Sequence, residues 1–303
     1  MRIVAGAPVC DRIRLQDVVE EWERSEESAV CYFGAEARLV RALEGSAVHA
    51  SVVLGAQPIW SPTSFLHAIE DHASLRAQLH RAENKGVSVE EWPAERASKS
   101  EELRHVLAEW LETRGLPPLH FLVEPDTLAS LGDRRIFVCS LRGVPVGFVV
   151  LSPVPTRRGW LTEQFVRGFE APNGAVELAL YAAVKSVSAE GAELVTMGIV
   201  PLSPHAGSHS RQNPGWLRGV SSWARAHGRR FYNFDGLDDF KSKFSPDRWE
   251  PIYAISTETS FSPKTLYAIA HAFTRGNPFW SLARGVGRAA AQEVRWLGGR
   301  RRG

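Results

Sequence analysis

The chain has 303 residues, 44% of them hydrophobic and 23% charged, with a net charge of +2. These proportions exclude global disorder, and the length is enough for two ordinary domains. Cys10, Cys31 and Cys139 lack metal-ligand spacing, which argues against a zinc ribbon or a disulfide scaffold. No apolar run approaches the ~20 residues that span a bilayer. Residues 1–14 carry no signal-peptide core. The expectation is a cytoplasmic protein, soluble or peripheral on the inner face of the membrane, with Cys31 and Cys139 buried and reduced.

In chain order, Leu15, Val18, Val19 and Trp22 recur at helical spacing and predict a helix over residues 14–25. Residues 29–33, 38–43 and 48–55 read as a small antiparallel meander, closed by a proline break in Gly55-Ala-Gln-Pro-Ile-Trp60. Residues 63–86 read as one or two helices ending at Gly86, and 87–97 as a strand with a polar link. Ser100 caps a helix over 100–114 with the apolar stripe Leu103, Val106, Leu107, Trp110 and Leu111. Residues 136–141 and 146–151 flank Arg142-Gly143 as a hairpin. A strand (159–166), Pro172-Asn173-Gly174 leading into a helix (175–189), a strand (193–199), a polar loop (201–215) and a helix (216–227) follow. The stretch 231–253 is aromatic and turn-rich and ends in a strand. From residue 100 the order of elements predicts an α/β fold of the acetyltransferase type, with the first segment a shorter version of the same plan. Domain boundaries are expected at 1–98, 99–273 and 274–303. The last segment is basic and aromatic, with Arg275, Arg284, Arg288, Arg295, Arg300, Arg301 and Arg302 against Glu293. It suits either an anionic membrane surface or a solvated basic end.

Four regions concentrate chemistry. Leu75–Gly86 places Arg76, His80, Arg81 and Lys85 on a helix able to hold phosphates, or simply a solvated face. Around Pro172-Asn173-Gly174, Glu163, Gln164, Arg167 and Glu177 surround a helix N-terminus that favours anions and polarised carbonyls. Glu163 and Gln164 are expected on opposite faces of their strand. Met197–His209 is a strand and loop with Ser203, His205 and His209. Tyr232–Tyr253 alternates Asn233, Asp235, Lys241, Lys243, Arg248 and Glu250 with aromatic residues, as the wall of a tunnel for a charged acyl donor would. Nucleotide-loop, HExxH, CxxC and nucleophile-elbow motifs do not occur.

In this order, LRAQLHRAENKG (75–86), APNG with Glu177, MGIVPLS (197–203) and YNFDGLDDFKSKFSPDRWEPIY (232–253) resemble the catalytic part of the bacterial phosphatidylglycerol lysyltransferases. The resemblance covers roughly residues 25–260. It implies tandem acetyltransferase-like (GNAT-type) domains with mixed central sheets. It also implies aminoacyl transfer from aminoacyl-tRNA to the hydroxyl of an anionic lipid at the inner leaflet, without metal or organic cofactor, beside a membrane flippase. On this reading Glu163, Arg167 and Lys243 are the catalytic candidates. Gln164, Asn173, Gly174, Glu177, Ser203, Asn233, Asp235 and Lys241 are the substrate contacts, and Arg76, Arg81 and Lys85 hold tRNA phosphates. Where the family has an acid, this chain has Gln164, with Glu163 one position earlier; only a bulge would let Glu163 substitute. The alternatives are an acyl-CoA-dependent acyltransferase and an inactive tRNA- or lipid-binding relative.

Overall fold

The computed structural model describes residues 1–113, 126–227 and 233–274. Its strands form a ten-stranded mixed sheet in the order β1-β2-β10-β3-β8-β7-β6-β5-β4, with β9 (Val200–Pro201) also on β3. The expected α/β class with a mixed central sheet is what the chain adopts.

One half of the sheet is built from β1 (Arg2–Ala5), β2 (Val30–Ala35), β3 (Ala50–Trp60) and β10 (Arg248–Ser256). β1 runs parallel to β2, while β10 runs antiparallel to both β2 and β3. Side-chain alternation sends Val30, Tyr32, Val53 and Ile255 to one face, against Leu15 and Val19 of α1 (Leu15–Ser25) and Leu39 of α2 (Ala37–Ala42). Cys31, Phe33, Val52 and Ala254 go to the other face. There they meet Leu217 of α9 (Gly215–His227) and Ile269 of α11 (Pro263–Thr274).

The other half carries β4 (Val87–Trp92), β5 (Arg135–Leu141), β6 (Val144–Val154), β7 (Gly159–Arg167) and β8 (Leu194–Thr196). On one face, Phe137, Val149 and Leu151 pack against α7 (Ala175–Ala189), with α3 (Pro62–Asp71) and α4 (Ala73–Asn84) outside it. On the other, Ile136, Val138, Phe148, Val150 and Val166 pack against α6 (Glu101–Glu112). A cut near residue 98 would separate β4 from its partner β5, and β10 returns late in the chain to lie between β2 and β3.

Several local expectations change. Most of residues 38–43 lies in helix α2 rather than in the middle strand of a meander, because Leu39, Val40 and the C-cap Leu43 meet one face at i, i+1 and i+4. β3 does not stop at Gly55. It runs on to Trp60, with Pro58 opposite Trp249 and Ile59 reaching Thr196 of β8. Pro93 ends β4, and α5 (Ala94–Lys99) replaces the polar link. A short α8 (Gly207–Arg211) interrupts the expected loop, and α10 (Phe234–Ser242) lies inside the aromatic stretch. Cys31 and Cys139 are buried as expected, and burial pushes both thiols up to about 12. The basic segment 275–303 lies outside the described residues. Among the described residues no helix is long and apolar enough to cross a membrane.

Candidate active site

The site is built where β7 leaves the sheet and α7 begins. A cleft of about 590 Å³ is lined there by Gln78, Arg81, Trp110, Phe165, Arg167, Pro172, Asn173, Gly174, Val176, Glu177 and Phe240. Phe165 and Arg167 are i, i+2 on β7 and so share a face. The Arg167 guanidinium donates to the Ala171 carbonyl at 2.9 Å and to Asn173 Oδ1 at 3.0 Å, which locks the turn before α7. Glu109 of α6 accepts from the Phe169 N–H at 3.0 Å and fixes the same turn from the other side.

Gly174 caps α7 at φ +94°. A Cβ at this position would lie 2.1 Å from the Gln78 carbonyl oxygen. Only glycine permits both the backbone angle and this approach of α4 to α7. The contact carries Gln78 and Arg81 of α4 to the cleft.

Glu177, in the first turn of α7, accepts from Lys243 Nζ at 2.5 Å. Lys243 Nζ also sits 4.2 Å from the Phe240 ring centre and 5.1 Å from that of Phe244. A ladder of rings holds this wall in place. Trp60 meets Phe65 edge-on, Phe65 stacks on Phe244, Phe244 meets Phe240, and Phe240 stacks on Phe165 at 5.2 Å. The Trp60 Nε1–H donates to the Phe244 carbonyl at 2.8 Å and anchors the ladder's buried end.

Of the residues expected at the site, Arg81, Arg167, Asn173, Gly174 and Glu177 line the cleft, and Lys243 reaches it through Glu177. The others lie elsewhere. A register slip puts a bulge at Glu163: Gln164 pairs with Val150 and Thr162 with Leu151. Gln164 therefore shares the α6 face with Val150 and Val166. Glu163 bonds Ser152 at 2.6 Å and pairs with Arg134 at 2.8 Å, also on that face. The expected opposition of Glu163 and Gln164 is thus removed by the bulge, and neither lines the cleft.

Lys241 was expected to touch substrate. It is instead buried, and its Nζ donates to the carbonyls of Met197, Gly198 and Ile199 at 2.6, 3.0 and 3.1 Å. Burial pushes its ammonium down to about 7 against the pull of the Asp238 carboxylate. Ser203 is buried and donates to Asp238 Oδ1 at 2.7 Å, while His205 pairs with Asp238 Oδ2 at 3.2 Å and stacks on Trp249. Asn233 caps α10 through the Gly236 N–H, and Asp235 pairs with Arg225 at 2.8 Å. Arg76 bonds the Glu70 carbonyl, and Lys85 closes α4. Four lining residues were missed or read only as core: Gln78, Trp110, Phe165 and Val176. Gln78 stands one helical turn before Arg81 and Phe165 two residues before Arg167, so the spacing held the signal.

This arrangement offers two guanidinium groups, a carboxylate–ammonium pair, two amides and an aromatic wall at a helix N-terminus. Such a set can hold an anionic ligand and stabilise charge developing on an acyl carbonyl. Residues 1–256 match the family described as phosphatidylglycerol lysyltransferase, C-terminal. The chain belongs to that family. No curated protein matches it. The structure is similar to the C-terminal domain assigned to a lysylphosphatidylglycerol synthetase of Agrobacterium fabrum, at 23% identity and TM-score 0.64, over 84% of this chain and 77% of the other. It is also similar to L-PGS from Bacillus licheniformis, at 19% identity and TM-score 0.65, over 90% and 82%. FemX shares the fold at 12% identity and TM-score 0.58, over 88% and 82%. Family membership makes the chain a transferase of the acyltransferase type, in a family whose substrates are phospholipids.

Proposed function

We propose that this chain moves an aminoacyl group from aminoacyl-tRNA to the hydroxyl of an anionic phospholipid such as phosphatidylglycerol. The observation that carries the reading is the meeting of Arg81, Arg167, Asn173 and the Glu177–Lys243 pair on one cleft at the start of α7. The donor ester is already activated. The lipid hydroxyl attacks its carbonyl carbon, the ester bond to the tRNA ribose breaks, and the hydroxyl proton passes to the departing ribose oxygen. The protein must bring the two together, move that proton and stabilise the tetrahedral oxyanion. Glu177 is the carboxylate at the cleft and takes the role first expected of Glu163. Arg167 and Lys243 are the cations for the oxyanion. The inactive-relative alternative rested on Gln164, whose side chain lies on the α6 face. It is therefore not favoured.

Cells expressing the chain and fed labelled amino acids should yield an aminoacylated lipid. Arg167→Ala and Lys243→Ala should each lower that signal about 100-fold, the scale of losing one stabilising donor. Purified protein with aminoacyl-tRNA and anionic vesicles should reproduce the transfer, and ribonuclease pretreatment of the tRNA should abolish it. Labelling that survives ribonuclease, or that comes from acyl-CoA, would sink the tRNA step. We also propose that residues 275–303 contact the anionic membrane surface. Vesicle flotation of the full chain and of a chain ending at residue 274 checks this; equal recovery with the vesicles removes the idea.

A further inference from the structure

We infer that Gln78 reads a hydroxyl group on a phosphate-bearing ligand held in this cleft by Arg81 and Arg167. The inference rests on reading the cleft as the transfer site, and it adds the chemical class that the cleft's cationic end recognises.

Three observations support it. Gln78 and Arg81 are i, i+3 on α4 and both line the cleft, so an amide and a guanidinium share one face a turn apart. Gln78 Oε1 is buried with no hydrogen-bond partner. A buried acceptor without a donor is an unfavourable arrangement that a ligand donor relieves. Its terminal torsion is soft, so the amide can turn that oxygen toward a ligand while the helix stays still. Finally, the backbone of Gln78 is pinned against Gly174, which holds the side chain over the start of α7.

The charges facing the cleft select the rest of the ligand. Glu177 is matched by Lys243 at 2.5 Å, which leaves Arg81 and Arg167 as the excess charge. Arg81 spends its Nε–H on the Ala77 carbonyl, and Arg167 spends Nε and Nη2 on Ala171 and Asn173. A guanidinium carries five N–H donors, so both retain donors for a phosphate. A phosphate that neutralises two arginines, with a hydroxyl a few bonds away to donate to an amide oxygen, describes a ribose phosphate and a glycerol phosphate equally well. The first is the end of a tRNA and the second is a lipid headgroup.

Calorimetric titration with two pairs of soluble probes tests the assignment and separates the sources. Adenosine 5′-monophosphate is compared with its 2′,3′-dideoxy analogue, and glycerol 1-phosphate with propyl phosphate. Gln78→Met keeps length and volume but removes the acceptor. It should weaken the hydroxyl-bearing member of one pair about fivefold to tenfold and leave its hydroxyl-free partner within about twofold. The pair that responds names the source. Arg81→Ala should weaken both members of that pair alike. Gln78→Glu keeps an acceptor and should retain the preference for the hydroxyl even if Gln78→Met fails to fold. Equal losses within each pair, no loss in any probe, or no binding of any probe to the wild-type protein would overturn the assignment. Lipid labelling by the wild-type chain without hydroxyl selectivity removes Gln78's role and leaves the transfer reading. Selective binding without lipid labelling does the reverse.

Discussion

Gly174→Ala should lower the thermal-unfolding midpoint by about 3–6 °C, corresponding to roughly 2–4 kcal/mol. Two costs combine. The residue sits at φ +94°, where a side chain costs about 1–2 kcal/mol. Its Cβ would also lie 2.1 Å from the Gln78 carbonyl oxygen and 2.7 Å from the carbonyl carbon. Those are backbone atoms, which cannot swing aside, so α4 must move away from α7. Gly191→Ala is the matched control: φ is +85°, and nothing lies within 4 Å of the added Cβ. It should lose only the conformational part, about 1–2 kcal/mol. Transfer activity should separate the two further, because a displaced α4 carries Gln78 and Arg81 out of the cleft. Equal losses of midpoint in the two variants would show that close approach is not what Gly174 supplies.

The parts legible in the sequence were those whose signal is local. The stripe of α6 and its Ser100 cap follow from periodicity and capping, and the β5–β6 hairpin follows from the turn between two apolar runs. The importance of Asn173-Gly174 could be read from a turn placed before a helix, although the Gln78 contact that requires the glycine comes from residues nearly one hundred positions away. What failed was non-local. Six residues at 37–42 are too few for periodicity to separate helix from strand, and packing on β2 and β10 decides it. Pro58 reads as a break, yet it sits in β3 opposite Trp249 of a strand that the chain reaches almost two hundred residues later. The bulge at Glu163 depends on how β7 lies on β6, and nothing in Glu163-Gln164 itself announces it.

The site shows the same limit in its charges. Lys241 and Lys243 lie two residues apart in Phe240-Lys-Ser-Lys-Phe244, and the motif treats them alike. Two positions on a helix are about 200° apart, so α10 must send them in nearly opposite directions. One goes to the Glu177 carboxylate at the cleft and the other into the loop after β8. Which lysine meets substrate is thus a property of where α10 docks. That docking is fixed by Phe240 and Phe244 in the aromatic ladder.

Lys241→Met should destabilise the protein by about 3 kcal/mol near neutral pH, and the loss should grow as pH rises. The first part follows from three carbonyls, on Met197, Gly198 and Ile199, that lose their donor in a buried place, and from Asp238, which loses a nearby cation. The second is linkage. The folded-state ammonium is depressed to about 7, whereas an unfolded lysine titrates near about 10.4. Between those values the unfolded chain binds a proton that the folded chain does not, so wild-type stability rises with pH across that window, by up to about 1.4 kcal/mol per pH unit. Below about 7 both states hold the proton and this contribution is flat. Every other titrating group is common to both proteins, so the difference between wild type and Lys241→Met isolates this lysine. Urea unfolding at pH 6, 7.5 and 9 should show a gap that is smallest at pH 6 and widest at pH 9. A gap that does not change with pH would mean that Lys241 stays charged in its carbonyl cage throughout. Loosening that cage also frees the loop that bears Ser203 and His205 from α10. Phe240, on the same helix, should then lose its fixed place in the cleft wall, and transfer should fall even under conditions where the variant remains folded.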